Sequence, residues 1–515
     1  MKNKRILRDA IVLTAFSLVM RISSIIFSMY LASAIGAQGV GLNQLTFSGF
    51  SFAVTIATAG ISVAVTKIMT EEFGRGVQGS ERAVMRCALG YAAVVSLSAA
   101  AAIYSFAGFI GETLLSDART VVPLKLLAPA LPLMSISSCF KGYLLAVRRA
   151  SQIAISDFLE QAVEVGVLIF LLENYHTTDI ATACRYISVS IVASEAASGL
   201  YLYAQYLRSR AHKSGTGAGR NRAYMRRLLA VALPVAASSC LASALRTVEN
   251  VSIPSGLVKS GLARDAALEY YGTVRGMALP VLFLPYAFLA SFTSLAMPEV
   301  SESMAANRPD QVRALISRVT RDCLILAIPA AAVYMLFAGS IGTIVYGGGQ
   351  ICTVIFLLAP LVPLMYFDAV ADGILKGMGE QNWVLKLNII DSLLRIAMVF
   401  FLIPRTGFTG FMILMYISNI FNPVLSVRRM LRLSGIRLDI RNWIALPALA
   451  SGVAVLCLRA LRLYFPLAQN ETFVMAVEIV LFAVLYAAVL SVCYKNGAQH
   501  NTARRKRSET ANSIF

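Results

Sequence analysis

Runs of about twenty predominantly apolar residues, the length a helix needs to cross a bilayer, recur along almost the whole chain. They fall at roughly 10–34, 44–68, 87–111, 121–146, 152–172, 183–207, 228–251, 271–298, 319–345, 351–375, 384–404, 408–427, 443–463 and 473–494. No other feature constrains the fold as strongly, because backbone polar groups in hydrocarbon must be satisfied within the segment that carries them. Composition agrees: 57% of residues are hydrophobic and 14% charged, where a soluble protein carries about a quarter charged residues. A soluble enzyme is therefore excluded as a class. The expectation is an all-α, polytopic membrane protein with fourteen transmembrane helices.

A net charge of +19 would suit nucleic acid only if the Lys and Arg residues gathered on one domain or face. They fall instead between the apolar runs, so no nucleic-acid partner is expected. Most occur at the N-terminus, after even-numbered spans and in the tail. The opposite connections hold only Arg119, Lys259, Arg264 and Arg405. Because cytoplasmic loops collect positive charge, both termini are placed in the cytoplasm of a multi-pass cell-membrane protein. The stretch from Ala10 to about Ile35 exceeds the apolar region of a cleaved signal peptide and should remain as the first helix. The tail cluster Arg504, Arg505, Lys506 and Arg507 fixes orientation. Eight scattered cysteines show no zinc or redox spacing.

An internal repeat divides the chain. Leu126 to Met134 reads LLAPALPLM and Leu357 to Met365 reads LLAPLVPLM, seven matches in nine at an offset of 231 residues. The same offset carries Gly142 onto Gly373 and Glu160 onto Asp391. These motifs lie in spans four and ten, so the repeat unit is six helices and both copies enter the membrane from the same side, a parallel repeat of the kind found in secondary transporters. The division is then a six-helix lobe at 1–207, a Gly-rich cytoplasmic linker at 208–227, a second six-helix lobe at 228–430, an extra helix pair at 431–494 and a basic cytoplasmic tail at 495–515.

An ionisable side chain at a helix centre costs about 2.5 to 3.5 kcal/mol on insertion scales and must face protein, a partner or water. Arg21 lies midway along span one with no acidic residue within a turn. Arg246 lies in span seven, three residues from Glu249, and Arg275 in span eight. Together they suggest a cavity for an anion, since guanidinium forks match phosphate. An i,i+3 pair of Arg246 with Glu249 is the competing structural reading. Glu160 and Glu164 share a face of span five with Asp157; Asp391 and Arg395 occupy the equivalent face of span eleven. Glu164 and Arg395, equivalent in position and opposite in charge, either pair across the lobes or are satisfied within their own. Glu195, Asp368, Asp372 and Glu478 complete the candidates for cation coupling. Prolines should break spans four (Pro129, Pro132), eight (Pro280, Pro285) and ten (Pro360, Pro363). No P-loop, GxSxG elbow, HExxH or dinucleotide fingerprint is present. No cofactor, metal or enzymatic activity is expected.

Three segments resemble a known group. YLASAIGAQGVGLNQL followed by TAGISVAVTKIMTEE, between Tyr30 and Glu72, resembles the start of the stage V sporulation protein B group of polysaccharide transporters. FKGYLLAVRRASQIAISDFLEQ from Phe140 to Gln161 and YYGTVRGMALPVLFLP from Tyr270 to Pro285 resemble its later segments. The resemblance implies the multidrug/oligosaccharidyl-lipid/polysaccharide exporter superfamily, whose members move lipid-linked sugars or drugs by alternating access. Against the related lipid II flippases, Arg21 matches a span-one arginine and Arg275 the span-eight arginine. The second span-one arginine of that group is Phe27 here, and span two offers only Lys67 at its inner end. Spans thirteen and fourteen are similar to the pair that forms a lipid-tail groove in those flippases. The implied function is a flippase for an undecaprenyl-pyrophosphate-linked oligosaccharide or peptidoglycan precursor, with Arg21, Arg275, Arg246 and Lys67 as substrate residues. Its partners would be the lipid-linked glycan, membrane lipids and cell-wall synthesis enzymes around a monomer. The alternatives are a cation-coupled multidrug exporter of the same fold and a non-transporting cell-wall or sporulation scaffold.

Overall fold

The computed structural model describes the backbone of residues 2–75, 80–175, 179–210, 221–436, 438–464 and 471–512. The side chains of 1–18, 21, 80, 210, 221, 291, 292, 294–296, 298, 463, 464, 471, 472 and 495–512 lie outside that description. Every described regular element is helical. Nine helices among the described residues are long and apolar enough to cross a membrane, or ten if one bent pair counts as a single span.

The fourteen apolar ranges all fall on helical segments, and those that miss the length-and-apolarity test have physical reasons. Helix α1 (Lys2–Thr58) runs through a kink at Gly36, whose φ of 69° is open to glycine. It continues past Gly60 into α2 (Ile61–Gly74), so that two predicted ranges form one apolar stretch, Ile22–Gly74. Helix α3 spans Ser80–Gly108. Helices α4 (Val121–Leu127) and α5 (Ala130–Ala146) meet at the predicted proline break, Pro129, with a 43° bend. Helix α6 (Ala150–Asn174) carries Asp157, Glu160 and Glu164, too many charges to pass by composition. Helix α7 covers Ile180–Arg210 and α8 Asn221–Lys259. The next range is broken into α9 (Arg264–Gly272), a π-helical turn at Thr273–Ala278, α10 (Leu279–Leu282) and α11 (Tyr286–Ala305). Then come α12 (Pro309–Tyr346), α13 (Gln350–Leu358), α14 (Val362–Gly377) and α15 (Gln381–Phe401), the last with Lys386, Asp391 and Arg395 inside it. Helices α16 (Ile403–Thr406), α17 (Phe408–Ser434), α18 (Leu446–Tyr464) and α19 (Glu471–Asn512) complete the chain.

The chain forms two compact units, 1–277 with 392–414, and 278–391 with 415–515. In the first, α2, α3, α5, α7 and α8 enclose a core of Ile61, Ile68, Met69, Tyr143, Tyr206 and Tyr224. Its α1 and α9 touch through glycines: a Cβ on Gly41 would lie 2.0 Å from the Leu268 carbonyl oxygen, and one on Gly272 would lie 2.2 Å from that of Ala37. In the second unit, α12 packs against α13, α14 and α18. The Val281 carbonyl, which Pro285 cannot bond in helical register, accepts from the Tyr334 hydroxyl at 2.6 Å.

The repeat motif is visible in each unit taken alone. Helix α4 ends at Leu127 and α13 at Leu358; α5 ends at Ala146 and α14 at Gly377; α6 begins at Ala150 and α15 at Gln381. All three correspondences carry the 231-residue offset. So do two left-handed turn residues, Arg148 (φ 61°) and Gly379 (φ 85°). So do the tight contacts of Gly142 with the Ser62 backbone and of Gly373 with Thr293.

Candidate functional site

The charges inside apolar helices identify the site. Glu249 lies ten residues before the end of α8 at Lys259, about 15 Å along the axis, with only 4% of its side chain exposed. The Arg275 guanidinium donates to Glu249 Oε1 at 2.6 Å. The same oxygen lies 3.6 Å from a guanidinium nitrogen of Arg395, on α15. Arg275 sits in the π-helical turn, an irregularity that re-aims side chains and recurs at functional sites. All three residues belong to the first unit. The surroundings fix them: Thr247 donates to the Ser48 carbonyl at 3.1 Å, the Ser48 and Tyr271 hydroxyls are 3.4 Å apart, and Ser28 donates to the Gly276 carbonyl at 2.9 Å. A Cβ on Gly276 would meet Val40 at 2.2 Å, so glycine there lets the Arg275 turn lie against α1. Arg275 Nε is buried without a hydrogen-bond partner among the described residues.

This arrangement decides two pairings that the sequence left open. Arg246 does not pair with Glu249; it is exposed and forms no ion pair among the described residues. The Glu249 carboxylate is buried, and two guanidinium groups from other elements reach it. Arg395 does not pair with Glu164; its glutamate comes from α8, in the same unit and the same half of the sequence. Lys67 is exposed on α2. The Arg21 side chain lies outside the described residues.

A second constellation surrounds Lys141 on α5. Its ammonium donates to Asp157 at 2.8 Å and lies 3.9 Å from Glu160. Glu164, one turn beyond Glu160 on α6, and the buried Glu195 on α7 interact electrostatically with Glu160. Three carboxylates, Asp157, Glu160 and Glu195, thus interact with one lysine, and Glu164 lies behind Glu160. In the second unit, Asp391 accepts from the Ser418 hydroxyl at 2.8 Å, and Asn422 donates to Asp368 at 3.2 Å and to Asn388 at 3.4 Å. Asp372 pairs with Lys376 at 3.8 Å. Glu478 is bound bidentately by Arg462, which assigns it a packing role between α18 and α19. Lys141, Asn388, Ser418 and Asn422 were not singled out from the sequence. The signal for them was the presence of a lysine and amides inside apolar runs.

An ion network also closes the turn between α3 and α4. The Arg119 guanidinium donates to Asp117 at 3.0 and 2.8 Å and to Asp265 at 2.9 Å, while Arg264 lies 3.7 Å from Asp117 and donates to the Leu115 carbonyl. Burial pushes the Asp117 carboxyl up, but the hydrogen bonds from Arg119 and the charges of Arg119 and Arg264 outweigh it and hold it below the usual carboxylate value.

A family model described as polysaccharide biosynthesis protein matches residues 6–304. The chain belongs to this family. It is similar to the stage V sporulation protein B of Bacillus subtilis (strain 168), 25% identical over 96% of each chain. It is also similar to the lipid II flippase MurJ of that organism, 20% identical over 95% of each. Among solved structures, a lipid II flippase MurJ in an inward closed conformation covers 94% of this chain and 99% of its own, with a TM-score of 0.73 at 13% identity. An inward-facing multidrug resistance MATE transporter of the MOP superfamily covers 83% of this chain and all of its own, with a TM-score of 0.63 at 13% identity. This member of the polysaccharide biosynthesis protein family is therefore a multi-pass membrane protein with the fold of MOP-superfamily transporters.

Proposed function

We propose that this protein is a flippase that moves an undecaprenyl-pyrophosphate-linked oligosaccharide or peptidoglycan precursor from the cytoplasmic to the outer leaflet by alternating access of two six-helix lobes within a fourteen-span chain. The observation that carries the reading is the pair of arginines, Arg275 and Arg395, on the single carboxylate of Glu249. Both guanidinium groups lie in apolar helices, where an anionic cargo repays their cost, and guanidinium forks bind phosphate oxygens bidentately. Arg21, Arg246 and Lys67 are assigned to the same phosphate path. The name of one relative, a lipid II flippase, and this chain's own polysaccharide biosynthesis family support a lipid-linked cargo. The lipid tail remains in the bilayer beside the extra pair α18 and α19.

A second feature favours cation coupling of the same cycle. Glu160, Glu164 and Glu195, with Asp157, outnumber Lys141, and a cation or proton binding there would tie lobe movement to an ion gradient. A drug exporter would use such carboxylates without needing Arg275 or Arg395. The test is transport of a fluorescent undecaprenyl-pyrophosphate glycan in proteoliposomes, comparing wild type with Arg275→Ala and Arg395→Ala. Flippase activity lost in both variants at normal abundance supports the reading. Wild-type levels in both would overturn it in favour of the exporter.

A further inference from the structure

Glu249 does not form an ordinary ion pair. One oxygen of one carboxylate takes a hydrogen bond from Arg275 at 2.6 Å and lies 3.6 Å from Arg395. Two guanidinium groups converging on one acceptor position reproduce what a phosphate oxygen would meet. The donors are not exhausted, since Arg275 Nε is buried with no hydrogen-bond partner among the described residues. Exposure separates the parts: the carboxylate is almost enclosed at 4%, while Arg275 and Arg395 keep 21% and 22% of their side chains exposed. An incoming anion meets the arginines first.

We propose that Glu249 is an internal stand-in for phosphate, occupying the Arg275 and Arg395 forks when no phosphate is bound and giving way to one that is. This rests on the reading of the cargo as pyrophosphate-linked. A pyrophosphate brings more charge and more oxygens than one carboxylate and so displaces it. The carboxylate, fixed on α8 beside the forks, then competes for them and hastens release. Without it, Arg275 and Arg395 would hold the phosphate too long for turnover.

The probe is inorganic pyrophosphate, titrated calorimetrically into the full chain in phosphatidylcholine nanodiscs. Glu249→Gln removes the competing charge and should tighten binding about tenfold or more, and adding Arg275→Ala should abolish the gain. Unchanged or weaker binding in a monodisperse Glu249→Gln protein overturns the proposal, as does failure of either form to bind. Should Glu249→Gln not fold, Glu249→Asp, which keeps the charge but withdraws it by one methylene, should tighten binding to a smaller degree; affinity equal to wild type overturns the proposal. Repeating the titration of Glu249→Gln in phosphatidylglycerol discs separates two sources of phosphate. Weakened apparent affinity assigns a lipid headgroup as a competing occupant, and equal affinity assigns the site to the cargo; the stand-in role holds in both cases. Glycan transport by the wild type is scored separately. A tightened variant without any transport overturns the cargo alone, and transport with unaltered pyrophosphate affinity overturns the stand-in alone.

Discussion

The pairing of Glu249 marks the limit of what spacing along a helix says about a charge. The i,i+3 neighbour Arg246 is near in sequence, yet Arg275 and Arg395 reach the carboxylate from other helices and bury it. Arg275 was legible as a charge in need of a partner because an isolated charge in an apolar run demands an explanation. Its partner was not legible, because the packing of three helices decides it. Losing a charge-assisted contact costs roughly 1.5 to 3 kcal/mol, about tenfold to a hundredfold in affinity. Arg275→Ala and Arg395→Ala should each raise the glycan concentration for half-maximal flipping by that factor, with Arg275→Lys recovering part of it through its charge but not its fork. A Lys variant equal to wild type would show that charge alone suffices. Glu478 gives the contrasting case. A coupling candidate by sequence, it is held by Arg462 on the neighbouring helix with 2% of its side chain exposed. Removing one partner of a buried pair costs about 3–5 kcal/mol, and less here because Arg462 is itself 47% exposed. Arg462→Ala should therefore lower the melting temperature in detergent, and adding Glu478→Gln should restore much of it. A double variant no more stable than the single one would deny the pairing its structural role.

At the scale of elements, the 231-residue offset of the two nine-residue motifs recurs beyond the motifs themselves. Helix ends, left-handed turns and glycine contacts recur at one offset because each motif makes the same break and presses the same glycine on an earlier helix. The contacts differ in one respect that yields a prediction. A Cβ on Gly142 meets the Ser62 carbonyl oxygen at 2.7 Å, backbone that cannot turn aside, whereas one on Gly373 meets only the Thr293 methyl at 2.8 Å. Overpacking costs typically 1–3 kcal/mol. Gly142→Ala should approach that cost, Gly373→Ala should fall well below it, and Gly90→Ala, with open space around it, should be neutral or gain up to about 1 kcal/mol of helix propensity. Thermal unfolding of the three variants checks the order, and Gly373→Ala as damaging as Gly142→Ala would contradict it. The break at Gly60 was less legible. It sits inside an apolar run, and the reason for it, a Cβ position 2.4 Å from the Ala232 carbonyl oxygen, lies 172 residues away. The turn around Asp117 carries a pH prediction. Its folded carboxyl value is lowered, so its stabilisation is complete above the ordinary value of about 3.9 and is lost only as pH falls through the lowered one. Amide exchange of Arg119, whose N–H donates to that carboxylate, should be flat between pH 5 and 8 once corrected for its intrinsic rate. A rise in exchange within that window would refute the network.

For the whole molecule, the number of crossings decides where the ends lie, and the two ways of counting disagree in parity. Nine candidate spans, each crossing once, would leave the tail opposite the N-terminus. The stretch Ile22–Gly74 is 53 residues, about 80 Å as a helix against a hydrocarbon core of about 30 Å, and the proposed fourteen-span chain divides it near the Gly36 kink into two crossings. The bent pair of α4 and α5 adds another. The remaining three, α6, the broken run α9 to α11, and α15, fail the apolar test for the same reasons that make them of functional interest: they hold Glu160, Glu164, Arg275, Asp391 and Arg395. A purely apolar criterion removes the helices that a transporter places around its site, since ionisable residues there face protein or water rather than lipid. Length supports their crossing, because α6 has 25 residues and α15 has 21, about 37 and 31 Å. The proposed fourteen crossings would return the tail to the side of the N-terminus, as the distribution of Lys and Arg predicts. The decisive helix is α6. In a background lacking the native cysteines, Ser151→Cys should react with a membrane-impermeant maleimide only after the cytoplasmic face is opened, and Asn174→Cys should react from outside in intact cells. Labelling of both from one side would mean that α6 does not cross, and would move the tail to the opposite face.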